Sequence, residues 1–288
     1  MEFNVDEKCI KCGKCINDCL AKALTFDENK NIIFDEKKCI KCQHCLAICP
    51  VGALSIDGKN PENSETPNTK AEPEKVLSLI KNRRSFRKYK HENLDTETMN
   101  KLKNMLHWTP TGVNNHNLHF AFIDDVEVMD DFRNYANGKL VDFLNSAAIK
   151  NIKTKFDRYK NAFLRGEDVI FRGAPHMVVV SSPINAPCAD IDPTIALSYF
   201  ELYAQSMGIG TVWCGLAYKL FKMFPDLCEY IEIPEGYKVG YVMLFGPADI
   251  EYPRATQPEP FKIISVKKNK KETTLTQKIK RYFWNWVK

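Results

Sequence analysis

Cys9-Ile10-Lys11-Cys12-Gly13-Lys14-Cys15, closed by Cys19, returns as Cys39-Ile40-Lys41-Cys42-Gln43-His44-Cys45, closed by Cys49. The period is 30 residues, and it continues past the cysteines, where Ala23-Leu24 is matched by Ala53-Leu54. Eight of the eleven cysteines thus lie in two copies of one small loop-rich unit within residues 1–57. Repetition at a fixed period marks a duplicated structural piece.

Three chemistries use thiols at this density. A disulfide framework belongs to exported chains. The acidic start Met1-Glu2-Phe3-Asn4-Val5-Asp6-Glu7 has no apolar core of a secretory signal, so a reducing, cytoplasmic setting is expected. Zinc also takes four cysteines, usually from separated pairs. A triple run with two-residue gaps, completed by a fourth cysteine from elsewhere, is the ligand pattern of a 4Fe–4S cube. The spacing resembles that of bacterial two-cluster ferredoxins, in which the fourth cysteine of each run serves the other cluster. The resemblance implies Cys9, Cys12, Cys15 and Cys49 for one cluster, and Cys39, Cys42, Cys45 and Cys19 for the other. Pro50 follows Cys49 as in that pattern, whereas Leu20 follows Cys19.

Residues 58–73 contain no large apolar side chain. Burial cannot offset their ordering entropy, so they read as a linker. From residue 74 the periodicity is that of a mixed domain. Pro73 stands near the first position of a helix carrying Val76, Leu77 and Ile80. Asp95 caps a second helix with Met99, Leu102, Met105 and Leu106 on one face. Phe120 and Phe122 alternate with smaller residues as in a strand. His176 to Ser182 and Tyr237 to Phe245 read as core strands. Asp192-Pro193 opens a long helix that stops at Gly208. Strands and helices alternate without strict βαβ order, which gives an α+β class with a mixed sheet flanked by helices.

Four stretches of this second domain resemble the nitroreductase-like flavoproteins, over roughly residues 74–260. They are Arg83-Arg84-Ser85-Phe86-Arg87, Thr109-Pro110-Thr111-Gly112-Val113-Asn114, Met207-Gly208-Ile209-Gly210-Thr211-Val212-Trp213-Cys214-Gly215, and Phe245-Gly246-Pro247 followed by Tyr252-Pro253-Arg254. Phe171-Arg172-Gly173-Ala174-Pro175-His176 also looks like the family. The resemblance implies FMN as cofactor. Arg83, Arg84, Ser85 and Arg87 would hold its phosphate and ring, the guanidinium fork matching phosphate. Pro110, Thr111 and Asn114 would meet the flavin, Cys214 and Gly215 would offer backbone contacts, and Arg254 would bind phosphate. His116-Asn117-Leu118 stands where many members have Gln-Pro-Trp. The resemblance also implies a homodimer with the flavin at the interface and side chains from both chains.

Cys188, Cys214 and Cys228 read as small buried apolar residues, and His44 as a surface residue. His116 and His119 flank the expected substrate wall, but no catalytic proton donor is assigned. Net charge is +5, and residues 262–288 hold nine Lys or Arg against the single acid Glu272, a local +8 that leaves −3 for the rest. The body is not a nucleic-acid-binding surface. No stretch reaches the ~18 apolar residues of a membrane span. In the tail, Leu275, Ile279, Tyr282, Phe283 and Trp286 fall at helical spacing among lysines. That pattern suits contact with an anionic membrane surface or an arm packed on a second subunit.

Together these readings describe a two-cluster module (1–57), a linker (58–73), a flavin domain (74–260) and a basic extension (261–288). The expected activity is FMN-dependent reduction of a small electron acceptor such as a nitroaromatic, fed through two 4Fe–4S clusters. A ferredoxin or another reductase would be the donor, since a built-in wire makes direct NAD(P)H donation redundant. The alternatives are an electron carrier or redox sensor, and a reductase of an enone or quinone.

Overall fold

A computed structural model of the chain describes residues 1–67, 70–146, 159–266 and Ile279. Two compact units divide it, Met1–Arg254 and Ala255–Lys288.

The repeat at the start of the chain is also a repeat of backbone shape. Strand β1 (Phe3–Val5) is followed by helix α1 (Lys14–Asp18), β2 (Leu24–Phe26), β3 (Ile32–Phe34), α2 (His44–Ala47) and β4 (Leu54–Ile56). β1 pairs antiparallel with β4, and β2 with β3. Left-handed residues recur at the same 30-residue offset. Lys11 (φ 54°) matches Lys41 (φ 55°), Gly13 (φ 73°) matches Gln43 (φ 59°), and Lys22 (φ 52°) matches Gly52 (φ 62°). Non-glycine residues hold this conformation only where surrounding structure over-determines it. Cys15, Leu24 and Leu54 form the small core, joined by Phe3 and Phe34, whose rings stack at 4.4 Å.

The larger domain begins with α3 (Pro73–Asn82) and α4 (Thr96–Asn104). Pro73 stands in the first turn of α3. Asp95 caps α4 by accepting from Thr98 N at 2.8 Å. Strand β5 (His119–Ile123), α5 (Val126–Asn145), α6 (Lys160–Leu164), β6 (His176–Pro183), α7 (Asp192–Ser206), β7 (Ile209–Trp213), α8 (Gly215–Met223), α9 (Asp226–Tyr230) and β8 (Tyr237–Pro247) follow. Gly208 (φ 78°) lets the chain turn from α7 into β7.

The sheet order is β5-β6-β8-β7, and all three pairings are antiparallel. Its parallel element is one bridge, Ser85 to Thr211, laid beside β7. Alternation along the strands divides the core into two layers. Met177, Val179, Val242 and Leu244 face Phe132 and Leu140 of α5 and Leu220 of α8. Val178, Val180, Met243 and Phe245 face Leu197 and Phe200 of α7 and Leu102 of α4. Helices thus cover both faces of the sheet.

In the second unit, Phe261, Ile263, Ile264 and Val266 are exposed. The tail residues Leu275, Tyr282, Phe283 and Trp286 lie outside the described residues. Among the described residues no helix is long and apolar enough to cross a membrane.

Candidate functional site

Cys9, Cys12, Cys15 and Cys49 line one cavity, closed below by Ile32 and Leu54. This is the grouping that exchange of the fourth cysteine implies. Among the described residues, no three of His, Cys, Asp or Glu close on a point as a single ion requires; the four thiols surround a space. Backbone amides already point at sulfur in both halves. Ala23 N donates to Cys19 Sγ at 3.3 Å, and Ala53 N to Cys49 Sγ at 3.2 Å. Lys41 N donates to Cys39 Sγ at 3.4 Å. Burial pushes the Cys45 thiol up to about 11 and raises that of Cys15. Such sulfurs become thiolates when metal charge replaces the proton. The donor set therefore fits iron–sulfur clusters.

A second cavity of ≈ 130 Å³ opens at the start of α8, between Arg87, Arg172, Trp213, Cys214 and Gly215. Two guanidinium groups and the N-terminal end of a helix give it positive character. Cys214 is the N-cap of α8, with its sulfur accepting from Ala217 N at 3.4 Å and donating to Ile170 O at 3.3 Å. Burial pushes this thiol up to about 11, so it stays neutral. Of the other two cysteines, Cys188 and Cys228 are half-buried and not enclosed as expected.

The Arg83–Arg87 segment lies along β7, with Phe86 N donating to Thr211 O at 2.9 Å. Gln205 holds it in place. Its Oε1 accepts from Arg84 N at 3.0 Å, and its Nε2 donates to Arg84 O at 2.8 Å. Arg83 pairs with Glu201 at 3.2 Å. Arg84 donates to the carbonyls of Lys81 and Arg83 but keeps a buried Nη2 without a partner. Arg87 donates to Ser85 O and reaches the cavity. An orphaned guanidinium nitrogen three residues before cavity-lining Arg87 suits an anionic group such as a phosphate.

The loop carrying Pro110, Thr111 and Asn114 is not part of this cavity's wall. Gly112 N is held by both carboxylate oxygens of buried Asp192, at 3.1 and 3.0 Å. Thr111 Oγ1 accepts from His116 N at 3.0 Å. Asn114 Nδ2 donates to Ile40 O, between the second-run cysteines Cys39 and Cys42, at 3.1 Å. Arg254 is exposed, two residues beyond Tyr252, whose ring meets Phe86 edge-on at 5.3 Å. His44 is exposed and pairs with Asp18 at 3.1 Å. His119 lies on β5 against Tyr237, where burial lowers its pKa.

A model of the nitroreductase family matches residues 80–247, more than half of the chain. The chain belongs to the nitroreductase family. A model of the 4Fe-4S dicluster domain matches residues 8–53. Among solved structures, a nitroreductase with bound FMN from Desulfitobacterium hafniense is 24% identical, with a TM-score of 0.54 over 67% of this chain and 98% of that one. A nitroreductase with bound FMN from Bacteroides fragilis is 19% identical, with a TM-score of 0.54 over 68% and 100%. An FMN-dependent nitroreductase from Clostridium difficile is 21% identical, with a TM-score of 0.50 over 68% and 100%. No curated protein matches the chain.

Within this nitroreductase domain the structure gives roles to residues for which the sequence suggests none, two of them, Gly210 and Arg172, inside stretches that resemble the family. Glu201 and Gln205 sit one turn apart on α7 and anchor Arg83 and Arg84. Gly210 abuts Phe86, where a Cβ would meet the ring carbon Cγ at 2.9 Å. That glycine serves packing of the arginine segment. Arg172 enters the cavity from a turn before β6.

Proposed function

We propose that this nitroreductase-family chain is an FMN-dependent oxidoreductase that takes electrons through its iron–sulfur module and reduces a small, flat acceptor such as a nitroaromatic. The observation that carries this reading is the Asn114–Ile40 hydrogen bond. It ties a loop of cluster-binding cysteines directly to the loop that resembles the family's flavin contact.

In this reading Cys9, Cys12, Cys15 and Cys49 hold one 4Fe–4S cluster, and Cys39, Cys42, Cys45 and Cys19 the other. Arg83, Arg84, Ser85 and Arg87 hold FMN, with Cys214 and Gly215 offering backbone and Arg254 closing on the phosphate. Bound FMN supplies the conversion between single electrons and electron pairs. Joining the module to the flavin domain raises its effective concentration there.

The wall of the Arg87 cavity lacks Pro110, Thr111 and Asn114. That separation suits a homodimer in which each copy lends this loop to the flavin of its partner. An exposed apolar face supports the same assembly. Helix α3 buries none of its residues, with Val76, Leu77 and Ile80 41–50% exposed, and Tyr199 and Tyr203 of α7 are exposed as well. Cluster thiols need a reducing compartment, and we place the chain in the cytoplasm. A ferredoxin or another reductase is the donor in this reading.

The test is anaerobic purification with iron, sulfide and FMN quantitation, followed by turnover of a nitro compound with reduced ferredoxin or dithionite. Two clusters and one FMN per chain, with turnover, are expected. Zinc in place of iron, or a colourless protein, would overturn the reading. Flavin reduction without turnover of any nitro compound, enone or quinone would leave an electron carrier.

A further inference from the structure

Arg172 occupies a costly backbone conformation. Its φ is 57°, and the next residue, Gly173, is also left-handed at φ 67°. A non-glycine residue in this region is strained and persists only where its surroundings enforce it. Here the enforcement is explicit. One carboxylate, Asp168, accepts from Phe171 N and from Gly173 N, both at 2.8 Å, and so clamps the turn from either side of Arg172. Asp168 is in turn held by Arg133 Nε at 3.0 Å, and Arg133 Nη2 donates to Ala174 O at 2.7 Å just beyond the turn. The turn is therefore braced at three successive points.

The braced turn delivers a guanidinium to the wall of the cavity shared with Arg87, Cys214 and Gly215. Among the described residues no carboxylate pairs with that guanidinium, while nearby Asp168 is paired with Arg133, which also engages Asp130. The phenol of Tyr89 and the thiol of cavity-lining Cys214 both feel the Arg172 charge, which opposes the rise that burial causes in each.

We infer that Arg172 is a positioning charge for the flavin, which stabilises the reduced over the oxidised form and raises the reduction potential. The inference rests on FMN occupying this cavity. A flavin that takes two electrons and one proton gains one negative charge. A fixed cation in a partly desolvated cavity therefore binds the reduced form more tightly than the neutral ring of the oxidised form. Arg87 is exposed and bonded to Ser85 O, so Arg172 is the more enclosed of the two charges. A higher flavin potential favours delivery of electrons from the clusters onto the flavin.

Two variants test it in the full chain. Arg172→Gly removes the charge and suits the left-handed backbone, so it is expected to fold at least as well as the parent. Arg172→Lys keeps the charge. Each is purified anaerobically, its affinity for oxidised FMN is measured, and its flavin midpoint is found by dithionite titration. With Arg172→Gly, oxidised FMN should bind within a few-fold of the parent, while the affinity ratio of reduced to oxidised flavin falls at least tenfold. That is a midpoint lowered by about 30 mV for a two-electron couple. Arg172→Lys should retain most of the potential. An unchanged midpoint with FMN bound overturns the inference. Equal weakening of both redox forms also overturns it, because it makes Arg172 a phosphate grip. A parent chain that binds no FMN instead overturns the functional reading on which the inference stands.

Discussion

Asn114 and Ile40 lie 74 residues apart, yet the amide of one donates to the backbone carbonyl of the other at 3.1 Å. Asn114 is left-handed, as are Val113 before it and His116 two residues beyond, and its Oδ1 is engaged by His116 Nε2 at 3.0 Å. The side chain is thus oriented at both ends. A single hydrogen bond contributes about 1 kcal/mol net, so Asn114→Leu should weaken docking of the Cys39–Cys42 loop by roughly fivefold. Faster amide exchange in residues 39–45 is expected, together with slower cluster-to-flavin transfer in rapid mixing after dithionite reduction. Unchanged exchange in that loop would show that the two loops dock by other contacts.

The cavity that unites Cys49 with Cys9, Cys12 and Cys15 predicts a pattern of iron loss. Cys49→Ser and Cys12→Ser should each remove about half the iron, and the double variant should remove no more than either single one. Cys49→Ser with Cys42→Ser should remove nearly all of it. Residues acting in one unit are non-additive, and residues in separate units add. Iron and sulfide per chain, measured without oxygen, would reveal the opposite grouping if Cys49→Ser and Cys42→Ser behaved as one unit.

His176 is fully buried on β6, and its Nε2 accepts from Leu94 N at 3.1 Å. Burial pushes its pKa down to about 4, partly opposed by Asp124 and Asp125. The unfolded chain, with an ordinary histidine near 6.5, takes up the proton first as pH falls. The stability contributed by neutral His176 is therefore fully present above pH 6.5 and is lost progressively down to about pH 4. The full effect is about 3 kcal/mol. His176→Gln keeps an acceptor for Leu94 and cannot titrate. Its urea midpoint should fall less than that of the parent between pH 7 and 4.5; parallel falls would place the acid sensitivity elsewhere.

What the sequence discloses here is mostly local. The cysteine period, the Asp95 cap, Pro73 at the head of α3 and the apolar strand from His176 to Ser182 are each contained in a short window, and each reappears in the structure. Helix α5 also has a legible signal, Asp125 as cap and Met129, Phe132, Ala136, Leu140 and Leu144 along one face, though no expectation covered it. The site is different. Arg83 meets Glu201 across 118 residues, and Arg84 meets Gln205 across 121. Nothing in one sequence pairs residues at such distances. Arg172 lies in a stretch whose sequence looks like the family, but nothing in that stretch assigns it a role until its left-handed turn and the Asp168 clamp are seen.

Gly240 shows how the bulge in β8 fixes the position of α7. Opposite it the register shifts: Val180 faces Tyr241 while Ser181 faces Val239, so Gly240 is the extra residue of the bulge. A Cβ at Gly240 would lie 2.3 Å from Pro193 Cβ and 2.4 Å from its Cγ. Pro193 is buried in the first turn of α7 and its ring is rigid, so it cannot swing aside as a flexible side chain would. α7 must therefore move, and it carries Glu201 and Gln205, which anchor Arg83 and Arg84. Gly240→Ala should cost about 1–3 kcal/mol as overpacking and also weaken FMN retention. Gly138→Ala, at a helical position with open space around the added methyl, should stabilise by up to about 1 kcal/mol and leave FMN retention unchanged. Denaturant midpoints and FMN content, measured side by side, check both halves; loss of stability at Gly240 with full FMN content would uncouple the bulge from the arginine segment.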